Sequence, residues 1–153
     1  MNKNARPKHT QRNLVTDDQF RELRFNLLHT ASWINNSMRQ FLQPHEITPK
    51  QYNILRILHE RQPDSLSIQE IRDMLADKMS DASRLVDRLE KKGLLDKFPS
   101  DQDRRSNRAR ITNSGSDLLR KIHRDRSSLD AIISDRLSDN DVEHLNDLLE
   151  RLR

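Results

Sequence analysis

Arg84, Arg88 and Lys91 stand four and three residues apart, with Ser80 and Ser83 just ahead of them. On a helix this spacing gathers them on one face. An arginine so presented can bond the O6/N7 edge of a guanine with both arms of its guanidinium, while serine or lysine holds a phosphate. A helix N-terminus itself favours phosphate. The chemistry these residues could do is recognition of duplex DNA in the major groove. A second basic group follows: from Lys97 to Arg110 five cations (Lys97, Arg104, Arg105, Arg108, Arg110) face two acids (Asp101, Asp103). A basic loop can lay an arginine in an adjacent minor groove, where a narrow groove deepens the negative potential. The opposing reading is a solvated helix face, because Asp81, Asp87 and Glu90 are interleaved with the cations and suit ordinary i,i+4 ion pairs. Two basic elements in succession are more specific than either alone.

The elements that must position these groups are legible from periodicity. Ala82, Leu85, Val86 and Leu89 fall at i, i+3, i+4 and i+7 behind the cations, which predicts a helix from Ser80 to Lys92 ended by Gly93. The period then changes, and 94–98 and 108–112 read as two strands joined by a long polar loop. Upstream, Ser67-Ile68-Gln69-Glu70 is a capping box opening a short helix through Ile71, Met74 and Leu75. Thr48-Pro49-Lys50-Gln51 is another, with proline at the favoured first position. Its helix runs to about Glu60, and Tyr52, Ile54, Leu55, Ile57 and Leu58 predict burial.

The outer thirds hold long amphipathic helices. Thr16 to Gln19 is a capping box, and Phe20, Leu23, Leu27, Ala31, Ile34, Met38 and Phe41 form a stripe to about Gln43, ended by Pro44. Thr112 caps a further long helix with Leu118, Leu119, Ile122, Leu129, Ile132 and Ile133 on its apolar side. Ser138 to Asp141 starts the last, with Val142, Leu145, Leu148, Leu149 and Leu152. The predicted fold class is mainly α: a winged helix-turn-helix core with a two-stranded β wing between long flanking helices.

Composition narrows the classes further. Of 153 residues, 34% are charged, 33% hydrophobic and 4% aromatic, a thin supply for one core that burial between two chains would relieve. The two glycines leave almost nothing for phosphate-cradling loops. The absence of cysteine excludes disulfides, thiolate nucleophiles and cysteine-based zinc sites. Six scattered histidines form no recognisable metal motif, so no metal and no cofactor is expected. No nucleophile elbow or phosphate loop is present, which argues against an enzyme. The net charge of +4 fits a polyanionic partner. No apolar run approaches the ~18 residues that span a bilayer, and the first residues lack a leader-like apolar stretch. The expected location is the cytoplasm, with no membrane partner.

The stretch from Ser67 through Gly115 resembles the winged-helix core of the multiple antibiotic resistance regulator (MarR) family. The resemblance is carried by Ile68-Gln69-Glu70-Ile71, by Ser83-Arg84-Leu85-Val86-Asp87-Arg88-Leu89-Glu90-Lys91-Lys92-Gly93-Leu94, by Asp103-Arg104-Arg105-Ser106 and by Ile111-Thr112-Asn113-Ser114-Gly115. Thr48 to Tyr52 resembles the start of the family's second helix. The chain departs from the family at Ser100-Asp101, where Asp-Pro is common, and at Leu75-Ala76-Asp77-Lys78, where glycine is. The resemblance implies a homodimer reading a pseudo-palindromic operator in double-stranded DNA, with recognition helices in successive major grooves. Residues 1–15, polar and carrying Lys3, Arg6, Lys8 and Arg12, read from composition as a flexible basic arm, either a disordered tail or a segment that touches phosphate. The remaining organisation expected is an N-terminal dimerisation helix over 16–46, the DNA-binding lobe over 47–113 and C-terminal dimerisation helices over 114–153. By position Arg105 would be the wing-tip residue and Asp103 its orienting carboxylate. Ser80, Ser83, Arg84, Arg88 and Lys91 would face the groove, with Arg104 and Arg108 completing the DNA-binding set. Such proteins usually repress, and many release DNA when a small aromatic or anionic ligand binds. His29, Trp33, Tyr52 and His59 are the expected pocket residues. Two other classes compete: a winged-helix protein-interaction module, and a non-specific architectural DNA binder.

Overall fold

The computed structural model describes residues 17–75, 77, 79, 81–100, 106–124 and 127–153. The expected arm over 1–15 and the Thr16 cap lie outside the described residues, as does the side chain of Leu129. The chain divides into two units, Met1–Asn36 and Ser37–Arg153. Helix α1 (Asp17–Leu42) begins in the first and ends in the second, with acids Asp17 and Asp18 in its first turn and Arg39 in its last, each complementing the helix dipole. A 3-10 turn, Gln43–His45, follows, with Pro44 at its start. Within the first unit Phe20, Leu23, Phe25, Leu28 and Trp33 are all exposed.

The second unit carries the core. Helix α2 (Pro49–Glu60) opens on the expected capping box: Thr48 Oγ1 accepts from Gln51 N at 3.3 Å, and Gln51 Oε1 accepts from Thr48 N at 3.0 Å. Tyr52, Ile54, Leu55, Ile57 and Leu58 are buried. Each sealed leucine contributes about 1.5–3 kcal/mol relative to exposure. The α2 face meets Leu42, Leu66, Ile71, Val86, Leu89, Ala109, Leu119 and Ile122 in one cluster.

After α2 come β1 (Leu66–Ser67), α3 (Ile68–Met74), α4 (Ala82–Lys91), β2 (Leu95–Pro99) and β3 (Asn107–Ile111). The strands form an antiparallel sheet in the order β1-β3-β2. Two strands are expected and, among the described residues, three are present: β1 pairs Leu66 with Ala109 and Ser67 with Arg108. A strand of two residues shows no alternation, and its second residue, Ser67, is also the α3 cap. Helix α3 leaves through Leu75 in extended conformation (φ −75, ψ 140), so the chain needs no glycine at that point.

Helix α4 starts at Ala82 under an Asp81 cap rather than at Ser80, and Ser80 lies outside the described residues. It ends as expected on Gly93 in the left-handed conformation (φ 67), with Leu94 N bonding Leu89 O at 3.0 Å and Gly93 N bonding Glu90 O at 2.8 Å. Thr112 caps α5 (Asn113–Arg124), its Oγ1 accepting from Gly115 N at 3.1 Å. The helix expected after Thr112 is described as α5 and α6 (Ser127–Ser134), with residues 125–126 between them outside the described residues, and α7 (Asp139–Leu152) follows on a Ser138–Asp141 capping box.

Candidate nucleic-acid interface

The recognition surface is built on α4. Asp81 Oδ1 accepts from Arg84 N at 3.1 Å, satisfying one of the helix's orphan N–H groups. Ala82, Val86 and Leu89 are buried, and Leu85 packs against the same cluster. The opposite face carries Ser83, Arg84, Arg88 and Lys91, all exposed. Arg84 Nε lies 3.7 Å from Asp81 Oδ2, with 78% of the arginine side chain exposed. Among the described residues Arg88 and Lys91 have no ion-pair partner. Of the interleaved acids, Asp81 reaches only Arg84 among the described residues, and Asp87 turns to β2, where its Oδ1 is 2.6 Å from Lys97 Nζ.

The cations of the hairpin divide. Asp103, Arg104 and Arg105 lie outside the described residues. Arg108 is drawn into the fold: its Nε donates to Ser65 Oγ at 2.8 Å, its Nη2 donates to the Ser65 carbonyl, and its Nη1 lies 3.8 Å from Glu70 Oε2. Arg110 sits 4.0 Å from Asp96 and over the Phe98 ring, 5.7 Å from its centre. The loop is closed at its base by Ser100 N donating to Ser106 O at 2.8 Å.

Glu70 completes the α3 capping box, accepting from Ser67 N at 2.7 Å while Ser67 Oγ accepts from Glu70 N at 3.1 Å. The Ser67 backbone N–H first and the Ser67 hydroxyl second hold the Glu70 carboxyl below the usual glutamate range, with the charges of Arg108 and Arg61 adding less. Between α3, the head of α4 and the start of β3 lies an open polar groove of about 430 Å³ lined by Gln69, Arg72, Asp81, Ser83 and Asn107. The sequence reading missed Gln69, Arg72 and Asn107, because the only signal at α3 was its cap.

Of the expected ligand residues, Tyr52 is buried on α2 with its hydroxyl 3.4 Å from His123 Nε2. His59, also on α2, is partly buried and its Nδ1 is sealed without a partner. On α1, His29 stacks on Phe25 at 5.7 Å, and Trp33 is 38% exposed. His123, set aside in the sequence as one of six scattered histidines, carries no motif that could have paired it with Tyr52 from 71 positions away. Among the described residues no cluster of three or more His, Asp or Glu could hold a metal ion, and no helix is long and apolar enough to cross a membrane.

A short capped helix, a second helix with one sealed and one cationic face, and an antiparallel hairpin directly after it make this a winged helix-turn-helix protein of the DNA-binding class. Comparison with known proteins narrows the class. The family model for the MarR family matches residues 47–107. The HTH-type transcriptional regulator MhqR of Bacillus subtilis is 32% identical over 120 residues, 78% of this chain and 81% of that protein. The chain belongs to the MarR family of DNA-binding transcription regulators. Solved structures share the fold: a C80S mutant of E. coli MarR complexed with operator DNA superposes with a TM-score of 0.74 at 22% identity, over 83% of this chain and 91% of that one. Bordetella bronchiseptica BpsR, whose DNA binding is regulated by 6-hydroxynicotinic acid, superposes with a TM-score of 0.76 at 16% identity, over 86% and 98%.

Proposed function

We propose that the chain is a cytoplasmic repressor that reads a pseudo-palindromic operator as a homodimer and lets it go when a small aromatic or anionic ligand binds. The observation that carries the DNA reading is the open cationic face of α4, with Ser83, Arg84, Arg88 and Lys91 directed away from the apolar cluster. One such helix enters the major groove of each half-site, and Arg84 and Arg88 bond base edges there. Arg105, with Asp103 orienting it, takes the wing-tip place, and Arg104 and Ser80 complete the phosphate contacts. The second copy covers the apolar residues that α1 and α7 leave exposed, Phe25 at 65%, Leu28 at 75% and Leu152 at 63% among them. The residues proposed as ligand contacts are Tyr52 and His59 on α2 and, each on its own account, His29 and Trp33 on α1. BpsR supplies the precedent for a ligand and E. coli MarR the precedent for an operator.

Selection of bound fragments from the source genome by the purified protein tests the reading. Enrichment of one inverted repeat is the expected result. Retention without a shared motif would instead establish an architectural binder, and no retention would leave an interaction module. An anionic aromatic such as 6-hydroxynicotinic acid, titrated against the fluorescence of the single tryptophan, Trp33, tests the ligand half.

A further inference from the structure

Two of the hairpin cations that would ordinarily be credited with holding DNA are spent inside the fold, one on each helix of the helix-turn-helix. Lys97 on β2 pairs with Asp87 on α4 at 2.6 Å, and only 22% of the lysine side chain is exposed. Arg108 on β3 sits across the ladder from Ser67, the α3 cap, and its guanidinium reaches Ser65 and Glu70 at the start of α3. All three arms of the Arg108 fork are engaged: Nε with Ser65 Oγ, Nη2 with the Ser65 carbonyl, Nη1 beside Glu70. A planar guanidinium so placed fixes direction as well as distance, which a lysine would not. The hairpin is thus tied to α4 through its first strand and to α3 through its second.

We infer that Lys97–Asp87 and Arg108–Ser65/Glu70 form a two-point clamp that sets the wing against the recognition helix, and that Lys97 and Arg108 are positioning residues rather than phosphate contacts. The inference rests on the DNA-binding reading above and deepens it. If the wing reaches a minor groove while α4 lies in the neighbouring major groove, the angle between them selects which DNA both can reach together. Loss of the clamp therefore lowers operator affinity more than affinity for unrelated DNA.

The acids provide the decisive test, because charge and position predict opposite signs for them. Removing a carboxylate near DNA raises the protein's positive charge and should tighten binding. The clamp predicts that Asp87→Asn weakens operator binding roughly tenfold and that Lys97→Gln adds little in the double variant, the non-additivity of a coupled pair. It also predicts that the exchanged pair, Asp87→Lys with Lys97→Asp, regains much of the loss. Arg108→Gln should behave like Glu70→Gln, and Arg108→Lys should not restore it. The experiment measures each variant's affinity for a selected operator fragment and for a random duplex of equal length across a salt titration, with thermal unfolding alongside. An operator-to-random ratio that falls in the Asp87 and Glu70 variants, with little change in salt slope and midpoints well above the assay temperature, supports the clamp. Equal weakening on both duplexes by Lys97→Gln and Arg108→Gln, a salt slope reduced by about one for each, and unchanged or tighter binding by Asp87→Asn would overturn it. Should wild type show no preference for any fragment, the DNA-reading proposal fails on that result. The clamp is then judged by hydrogen exchange of residues 95–99 and 107–111, which must quicken in Asp87→Asn and Glu70→Gln for it to stand.

Discussion

Arg84 is held by nothing deeper than its own helix cap, Asp81, while Arg88 has no ion-pair partner among the described residues. Such arginines are available to a base edge at little desolvation cost. Arg84→Ala is expected to relax base preference at one position in each half-site, costing about 1–3 kcal/mol there, while binding to unrelated DNA changes far less. Competition with single-position operator variants measures it. A second residue-scale prediction concerns acid. The Glu70 carboxylate accepts from Ser67 N, the larger cause, with the Ser67 hydroxyl second, and Asp141 accepts from Ser138, hydroxyl first and backbone second, so both carboxyls sit below their usual range when folded. A group whose folded pKa is lowered stabilises the fold above its unfolded pKa, and that contribution is lost as the pH falls through the folded value. Wild type should therefore melt higher than Glu70→Gln at neutral pH, with the gap closing as the pH drops below the ordinary glutamate range. Thermal unfolding across that range checks it, and a gap that widened in acid would contradict the capping account.

The chain's two glycines both serve one junction. Gly93 turns α4 out through a positive φ, and Gly115 lets α5 approach so closely that an added Cβ would collide with the Leu94 carbonyl and stand 2.7 Å from Ile111 Cγ1. Thr112 locks the same place, donating from Oγ1 to Gly93 O at 2.8 Å while its N–H bonds Leu94 O. The obstruction is backbone, so Gly115→Ala should cost about 1–3 kcal/mol or more, read as a fall in the urea midpoint. Elements of this kind were legible in the sequence wherever a local pattern specifies them: the capping boxes at Thr48, Ser67 and Ser138 are short i,i+3 signatures, and all are present. The start of α4, expected at about Ser80, is at Ala82 under the Asp81 cap, since serine and aspartate are both good caps and spacing does not choose between them. Strand β1, two residues long, had no periodic signal. In the site, the cationic face of α4 was legible because it is helical spacing. The engagement of Lys97 and Arg108 was not, because their partners stand ten and 43 positions away and only the sheet brings them near.

At the scale of the molecule, the sealed cluster takes in Leu42 at the end of α1 and Leu119 and Ile122 of α5, while Phe20, Leu23, Phe25 and Leu28 of α1 and Leu145, Leu148 and Leu152 of α7 are exposed. Leu145 and Leu148 are each 43% exposed on α7, the pattern of a face that a second copy covers. Leu145→Glu with Leu148→Glu should shift sedimentation from dimer to monomer and reduce helicity. A wild type that sediments as a folded monomer would contradict the homodimer. The proposed homodimer, with a recognition helix and a wing in each copy, would require operator contacts repeated about one helical turn apart, ~10 base pairs centre to centre. The most direct measurement is a hydroxyl-radical footprint of the wild-type protein on a selected fragment. Two symmetry-related sets of protections at that spacing, both lost in Arg84→Ala with Arg88→Ala, are what a two-fold reading by α4 predicts. A continuous, featureless protection, or a pattern unchanged in that double variant, would contradict it.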